Sequence, residues 1–155
     1  MNKIKILELT NYSAGICGVG ARVKQEAALL SRKGHDVRIF SSNLTKGSNE
    51  IAVSEEKMGK IVIRRFKALR LGGESFIWWN FEREAIKFKP DIIIAHAYRH
   101  IHTSKALKIG RKVGARVMLV THAPFIDNNS TRSLPAKFAV KFYDKFVGPK
   151  KINGF

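Results

Sequence analysis

Two groups of residues in this sequence have the types and the spacing to bind or act on a ligand. The first is a loop of small residues, Ser13-Ala14-Gly15-Ile16-Cys17-Gly18-Val19-Gly20. The second is a set of four histidines, His96, His100, His102 and His122. Glycines let backbone N–H groups approach an anionic ligand, and an imidazole can hydrogen-bond a hydroxyl or a phosphate. Both groups are therefore candidates for a functional site.

The glycine loop lies within a strand–helix–strand pattern. An apolar run from Ile4 to Leu9 predicts a buried strand, a helical period follows the loop as far as Gly34, and Val37 to Phe40 predicts a second strand. Such a βαβ unit forms a parallel sheet and directs the helix N-terminus into the ligand crevice. Backbone N–H groups of Gly18 and Gly20, together with the helix dipole, would favour a negatively charged group there.

Strands and helices alternate through the rest of the chain. Ile51–Val53, a turn at Glu55–Gly59 and Ile61–Phe66 predict either a hairpin or a strand with a lead-in. Two further strands are predicted at Asp91–His96 and Arg116–Thr121. Three further helix patterns are Ser75 to about Lys87, Thr103–Gly114 and Pro135–Val147. This alternation predicts a doubly wound, Rossmann-like α/β fold with a mainly parallel sheet, and a length of 155 residues favours a single domain.

Two of the histidines follow predicted strands. His96 and His122 end their strands at the edge where open α/β sheets bind ligands, so both are candidate binding residues. An ordinary role at a strand end is the alternative. A zinc site is disfavoured because no cysteine accompanies the histidines and their spacing crosses from a strand end into a helix start.

The glycine loop does not have the pattern of a dinucleotide-binding loop. Gly15, Gly18 and Gly20 are spaced as G-x-x-G-x-G rather than G-x-G-x-x-G. The second strand ends in Phe40-Ser41-Ser42, which offers no acidic group for a ribose. A Walker A loop and a Tyr-x-x-x-Lys pair are also absent. A loop that only makes a tight turn is the alternative to phosphate binding.

The chain is strongly basic. It has 29 Lys and Arg residues against 12 Asp and Glu residues, which gives a formal net charge of +17. Such a field attracts phosphates, nucleic acid or an anionic membrane surface, although a solvated basic face is an equal alternative. A nucleic-acid partner is disfavoured because aromatic platforms interleaved with basic residues on a strand face are not evident.

The predicted helix Pro135–Val147 has two interpretations. Phenylalanines and lysines recur along it in parallel stripes, Phe138, Phe142 and Phe146 beside Lys137, Lys141 and Lys145. The phenylalanines fit either a helix docked on the sheet or a peripheral helix on an anionic membrane. No stretch is long and apolar enough for a bilayer span, and the single cysteine excludes an internal disulfide, so the sequence predicts a cytoplasmic protein.

Three segments resemble those of one enzyme family in their order and spacing. The segment from Gly18-Val19-Gly20-Ala21-Arg22 to Gly34-His35-Asp36-Val37 resembles the N-terminal signature of retaining GT-B glycosyltransferases of the group-1, family-4 type. Lys89–His96 resembles their strand "kPDvvhaH", and Val120–Pro124 resembles a later strand ending in "tvHd.p". The resemblance covers essentially the whole chain. It departs at Cys17, where many members have a glycine, and at Ile94, which replaces the first histidine of the strand motif.

This resemblance implies an architecture and an activity. Residues 1–155 would form the N-terminal, acceptor-side half of a GT-B fold and would need a C-terminal domain that binds most of a nucleotide-sugar. The enzyme would transfer a sugar from a nucleoside-diphosphate sugar to a hydroxyl acceptor, either a sugar or a lipid-linked compound, with retention. It would need no metal or other cofactor, and this half alone would be inactive. The alternative function is a basic α/β binding module without catalysis.

The resemblance also assigns roles to individual residues. Gly18 and Gly20 would bind the donor phosphates, and His122 would be the catalytic residue at the transferred sugar or its acceptor. Three further residues would line the acceptor cleft: Arg22, His96 and Tyr98.

Overall fold

The computed structural model describes residues 2–122 together with Phe138, Lys141, Phe142, Lys145, Phe146 and Gly148. The chain divides into two compact units, residues 1–122 and 123–155. The first unit contains eight strands and three α-helices in the order β1 Lys5–Gly15, α1 Gly18–Arg32, β2 Asp36–Lys46, β3 Glu55–Met58, β4 Ile61–Phe66, β5 Ala68–Arg70, β6 Ile77–Trp79, α2 Glu82–Phe88, β7 Ile92–His96, α3 Ile101–Val113 and β8 Arg116–Val120.

A six-stranded sheet forms the centre of the first unit, with the strand order β3-β4-β2-β1-β7-β8. Neighbouring strands are parallel except for the edge pair β3 and β4. The chain order reverses at β1, which has β2 on one side and β7 on the other. The carboxyl ends of β1 and β7 are therefore the topological switch point, where open α/β sheets bind ligands.

Apolar clusters cover both faces of this sheet. Val23 and Ala27 of α1 pack on one face, and Ala85 of α2 and Ala106 of α3 belong to the cluster on the other. The run Ile92-Ile93-Ile94 lacks polar alternation because β7 is covered on both faces. The predicted doubly wound, mainly parallel α/β fold is confirmed.

The prediction of one helix from Ser75 to Lys87 is wrong. Glu74–Phe76 is a single 3₁₀ turn, Ile77–Trp79 is β6, and only Glu82–Phe88 is α-helical. Trp79 is buried while its neighbour Trp78 is 37% exposed, which is the alternation of a strand. The indole N–H of Trp79 donates to Asn11 Oδ1 at 3.2 Å. The pairing of β6 with β5 and the contact of Trp79 with Asn11 stabilise a strand here, although the apolar spacing of the segment fits a helix.

The predicted hairpin before β4 is present but shifted along the chain. β3 is Glu55–Met58, where the sequence predicts a turn, and the turn follows at Gly59 with φ +61°. The predicted strand Ile51–Val53 forms only an isolated bridge, between Ile51 and Leu44. A polar contact favours the observed pairing, because Glu56 of β3 forms an ion pair with the buried Arg65 of β4. Hydrophobic periodicity cannot reveal such a contact.

The predicted helix Pro135–Val147 lies mostly outside the described residues. The backbone is helical at the five described positions within it, Phe138, Lys141, Phe142, Lys145 and Phe146. The three phenylalanine side chains are 73%, 52% and 49% exposed. Within the part of the chain that the structure describes, no helix has the length and apolar character needed to cross a membrane.

Candidate functional site

The predicted glycine loop is shorter in the structure, because it contains the end of β1, the two connecting residues Ile16 and Cys17, and the first turn of α1. This segment lines a cleft of about 400 Å³. Cys17 caps α1, because its Sγ accepts a hydrogen bond from the Gly20 N–H at 3.4 Å. The remaining lining residues are Ser13, Gly15, Ile16, Gly18, Ala21 and Lys24. The cleft thus combines the first turn of a helix with a basic lining residue, Lys24, and both features favour an anionic ligand.

The two glycines predicted to bind phosphate occupy different surroundings. A Cβ atom at Gly20 would lie 2.5 Å from the carbonyl oxygen of Tyr12, so close packing against β1 requires glycine there. A Cβ atom at Gly18 would meet nothing within 4 Å, so Gly18 lies beside open space. Because the Gly20 N–H is engaged by Cys17, its predicted contact with a phosphate would compete with the helix cap.

A second glycine is required where the loop leaves β1. Gly15 has a φ of +80°, a conformation that side chains disfavour. A Cβ atom there would also overlap the backbone carbonyl of Lys46 on β2. The loop therefore owes its shape to the missing side chains at Gly15 and Gly20.

A line of three hydrogen-bonded side chains runs across the carboxyl edge of the sheet. Oε2 of Glu8 on β1 lies 2.8 Å from Nε2 of His96 at the end of β7. Nδ1 of His96 lies 3.0 Å from Nε2 of His122, which follows β8. Glu8 and His96 are both 0% exposed, whereas His122 is exposed. We call these residues the histidine line; it connects the interior of the sheet to the surface.

Burial controls the protonation of the histidine line. Burial, with a smaller effect of the Glu26 charge, raises the pKa of Glu8 to about 9. Burial lowers the pKa of His96 to about 4, although Glu26 opposes this shift. The pKa of His122 is also lowered, first by burial and then by His96 and Arg22. All three groups are therefore uncharged near neutral pH.

Helix α1 places two charged residues near the histidine line. Arg22 and Glu26 lie one helical turn apart and line a shallow cleft with Gln25 and Leu29. Potential ligand atoms of Glu8, Glu26 and His96 lie within 4.8 Å of one another. Both ring nitrogens of His96, however, are already engaged by Glu8 and His122. We therefore interpret these side chains as a hydrogen-bonded group rather than a metal centre.

Tyr98 lies in the turn between β7 and α3. The preceding residue, Ala97, has a φ of +65° and donates its N–H to the carbonyl of Val120 at 2.7 Å. The carbonyl of Tyr98 accepts a hydrogen bond from the Thr103 hydroxyl at 2.8 Å. A positive φ at a non-glycine residue costs on the order of 1–2 kcal/mol, so these bonds hold a strained turn. They fix Tyr98 at the carboxyl edge, and its contact with an acceptor stays a prediction.

Asn11 connects this edge of the sheet to the β5–β6 hairpin and to α3. Its Oδ1 lies 2.9 Å from Nδ1 of His102, and its Nδ2 donates to the carbonyl of Glu74 at 2.7 Å. Nε2 of His102 lies 2.8 Å from the carbonyl oxygen of His96. His102 is buried, so this member of the histidine set supports the backbone of His96.

The structure brings together residues that the sequence predicts and others that it misses. Arg22, His96 and His122 lie close enough for Arg22 to affect the pKa of both imidazoles. Glu8 is missed, although an acid within the apolar run Ile6-Leu7-Glu8-Leu9 is a signal for a buried carboxyl group. Lys24 is also missed, because nothing in the sequence distinguishes it from the other basic residues.

Known glycosyltransferases resemble this chain in sequence and in fold. The family model of Glycosyltransferase Family 4 matches residues 16–150. Comparison with curated proteins gave no significant match. The chain is similar in structure to sucrose-phosphate synthase from Thermosynechococcus elongatus, with a TM-score of 0.56 and 11% identity over 90% of this chain and 39% of that one. It is also similar to the catalytic domain of starch synthase IV from Arabidopsis thaliana bound to ADP and acarbose, with a TM-score of 0.51 and 18% identity over 78% of this chain and 34% of that one.

These identities are low, so the structural likeness shows the fold, which is that of GT-B glycosyltransferases. The chain spans less than half the length of either solved structure. The family match, in contrast, extends over most of this sequence, from residue 16 in the glycine loop to residue 150, beyond β8. The chain therefore belongs to glycosyltransferase family 4.

Proposed function

We propose that this chain supplies the acceptor-side half of an enzyme that transfers a sugar from a nucleoside-diphosphate sugar to a hydroxyl acceptor with retention. One observation carries the proposal: in a family 4 chain, the open cleft beside Gly18 and the exposed His122 follow strands at the same edge of the sheet. The starch synthase of similar fold was solved with ADP and acarbose, which supports a nucleoside diphosphate as the leaving group.

The glycine cleft would hold the diphosphate of the donor. Negative charge develops on this group as the sugar leaves, and preorganised N–H donors at a helix N-terminus can stabilise it without metal. Gly18 supplies open space beside the first turn of α1, and Lys24 adds a positive charge to the same cleft. Gly20 would contribute mainly by shaping the turn, because its N–H donates to the capping Sγ of Cys17.

The exposed end of the histidine line would face the sugar. His122 would contact the transferred sugar or its acceptor, with Arg22 and Tyr98 beside it in the acceptor cleft. His96 is completely buried, so in this conformation it would act through His122 and not by touching the acceptor. Direct contact by His96 would require a rearrangement of this edge.

A second, C-terminal domain would complete the enzyme. It would bind most of the nucleotide-sugar and close over the cleft, which excludes water and limits hydrolysis of the donor. Residues 1–155 alone would then transfer no sugar at a useful rate.

The proposal is tested with the full-length protein and a panel of nucleoside-diphosphate sugars, each offered with and without hydroxyl acceptors. We expect release of nucleoside diphosphate that depends on an acceptor, and NMR of the product should show the anomeric configuration of the donor. Residues 1–155 alone, as the matched control, should give no turnover. An inverted product would contradict retention. Absence of both turnover and donor binding would favour a basic binding module.

Peripheral binding to an anionic membrane is a second candidate property, and the second unit favours it. Phe138, Phe142 and Phe146 are about half exposed or more, and Lys141 and Lys145 are exposed as well. Basic groups near an anionic membrane contribute roughly 1 kcal/mol each. A lipid-linked acceptor would make such a surface useful to a glycosyltransferase.

Co-sedimentation with vesicles tests this second property. We expect the chain to bind vesicles that contain anionic lipid at low salt, and to bind less at high salt or after Lys141→Gln and Lys145→Gln. Vesicles of neutral lipid are the control. Failure to bind anionic vesicles at low salt would contradict this second property.

A further inference from the structure

We propose that Glu8 and His96 are positioning residues that fix the tautomer of His122, so that its Nδ1–H is the donor presented to the sugar. This inference rests on the proposed role of His122 in sugar transfer. It assigns a role to Glu8, a side chain that lies in the core of the sheet and that no step of the proposed transfer uses directly.

The sheet topology makes the line rigid. β1, β7 and β8 are consecutive neighbours in the sheet, and Glu8 pairs in register with Ile94, two residues before His96. His96 pairs with Val120, two residues before His122. His102 also contacts the carbonyl of His96 at 2.8 Å. The sheet therefore fixes the backbone positions of the two inner members, and both of their side chains are buried.

The surroundings of Glu8 favour the protonated acid. The side chain is 0% exposed, and its Oε1 has no hydrogen-bond partner within the part of the chain that the structure describes. A buried carboxylate with one unsolvated oxygen would be far more costly than a neutral acid. The raised pKa of Glu8 agrees with this argument from geometry.

A protonated Glu8 sets the direction of every hydrogen bond in the line. The acid proton lies on Oε2, because an O–H at the buried Oε1 would have no acceptor among the described residues. The Oε2–H donates to Nε2 of His96, so the ring proton of His96 must be on Nδ1. That Nδ1–H donates to Nε2 of His122, which leaves the proton of a neutral His122 on Nδ1. With an ionised Glu8 the bonds would reverse, and Nδ1 of His122 would become an acceptor.

Other charged groups also face the line. Arg22 and Glu26, both on α1, affect the pKa of His96 and of His122 in opposite directions. Glu26 also disfavours ionisation of Glu8. These two charges act on the balance between imidazolium and neutral imidazole, whereas the hydrogen bond from Glu8 determines which ring nitrogen of a neutral His96 carries the proton.

The tautomer is measured directly by ¹⁵N NMR of histidine side chains in the 155-residue chain. Near neutral pH we expect His122 to be protonated on Nδ1. Glu8→Gln should keep this tautomer, because a glutamine N–H can donate to His96 in place of the acid. Raising the pH through the ionisation of Glu8 should reverse the tautomer in the wild type and leave Glu8→Gln unchanged. A wild-type His122 protonated mainly on Nε2 near neutral pH would overturn the proposal.

Kinetics of the full-length protein provide the second readout. Glu8→Leu, which removes the donor, should lower kcat by roughly 10- to 100-fold, by analogy with the loss of a residue that orients a metal-binding histidine. Glu8→Gln should stay near wild type. If Glu8→Leu does not fold, the pH-dependent comparison of the wild type with Glu8→Gln still decides. If His122→Ala leaves transfer unchanged while the NMR result holds, the proposed function fails and the tautomer assignment stands.

Discussion

The glycine loop and the exposed end of the histidine line lie at the same edge of the sheet, but the two sites are built in different ways. The loop is a backbone feature that depends on missing side chains at Gly15 and Gly20. The histidine line is a side-chain feature that joins Glu8, His96 and His122 from three neighbouring strands. A backbone site does not titrate, whereas the line has two members with strongly shifted pKa values. Substitutions should therefore affect the loop through steric fit and the line through protonation.

The largest effect on stability is expected in the loop. Gly20→Val should lower the free energy of unfolding by roughly 1–3 kcal/mol, because the new side chain would overlap the Tyr12 carbonyl. Urea denaturation measures the change. Gly18→Ala is the matched control and should have little effect, since nothing lies within 4 Å of its added Cβ. Equal losses for the two variants would show that the loop is not packed as described.

The histidine line should respond to pH. The folded-state pKa of Glu8, about 9, exceeds its ordinary value of 4.5, so its stabilising contribution is full below 4.5 and is lost as pH rises. The pKa of His96 is lowered from 6.5 to about 4, so its contribution is complete above 6.5 and is lost only as pH falls. Between about pH 6.5 and about pH 9, Glu8 is therefore the member of the line whose contribution to the free energy of unfolding changes.

In that range the wild type should lose stability relative to Glu8→Gln, by a total of about 1–3 kcal/mol. Urea denaturation at several pH values measures the difference between the two proteins. Parallel pH profiles would mean that Glu8 is already ionised in the folded protein, and the proton direction inferred for the line would then be wrong.

The smallest effect concerns the cap of α1. Cys17→Ser should be more stable than Cys17→Ala by about 0.5–1 kcal/mol, because a serine hydroxyl can accept a hydrogen bond from the Gly20 N–H and the alanine methyl group cannot. Both variants lose the packing of the sulfur, so their difference isolates the cap. A less stable serine variant would show that the Sγ contact does not act as a cap.

The difference between the glycine loop, which is a backbone feature, and the histidine line, which is a side-chain feature, explains how much could be predicted from the sequence. Gly15, Gly18 and Gly20 are visible locally because a glycine-rich turn between an apolar run and a helical period has few interpretations. His96 and His122 are visible as strand ends. The bond between them was not predictable, because it depends on the adjacency of β7 and β8, and the link to Glu8 depends on a strand almost 90 residues away in sequence.

The errors in the fold have a related cause. Ile77, Phe81 and Ala85 are all buried, so their four-residue spacing imitates a helix. Trp79 instead belongs to a short strand that is held by pairing with β5 and by Asn11. Buried residues at a four-residue spacing fit both a single helix and a strand followed by a helix, so local periodicity cannot distinguish the two.

Comparison of two histidines in the full-length protein tests the central claim most directly. His122 is at the carboxyl edge, and His35 precedes β2 at the opposite edge of the sheet. We expect His122→Ala to lower kcat for sugar transfer by roughly 100-fold or more, as for loss of one preorganised donor, with little change in melting temperature. His35→Ala should change kcat by less than about twofold. Wild-type turnover in a folded His122→Ala protein would contradict the assignment of this edge as the transfer site.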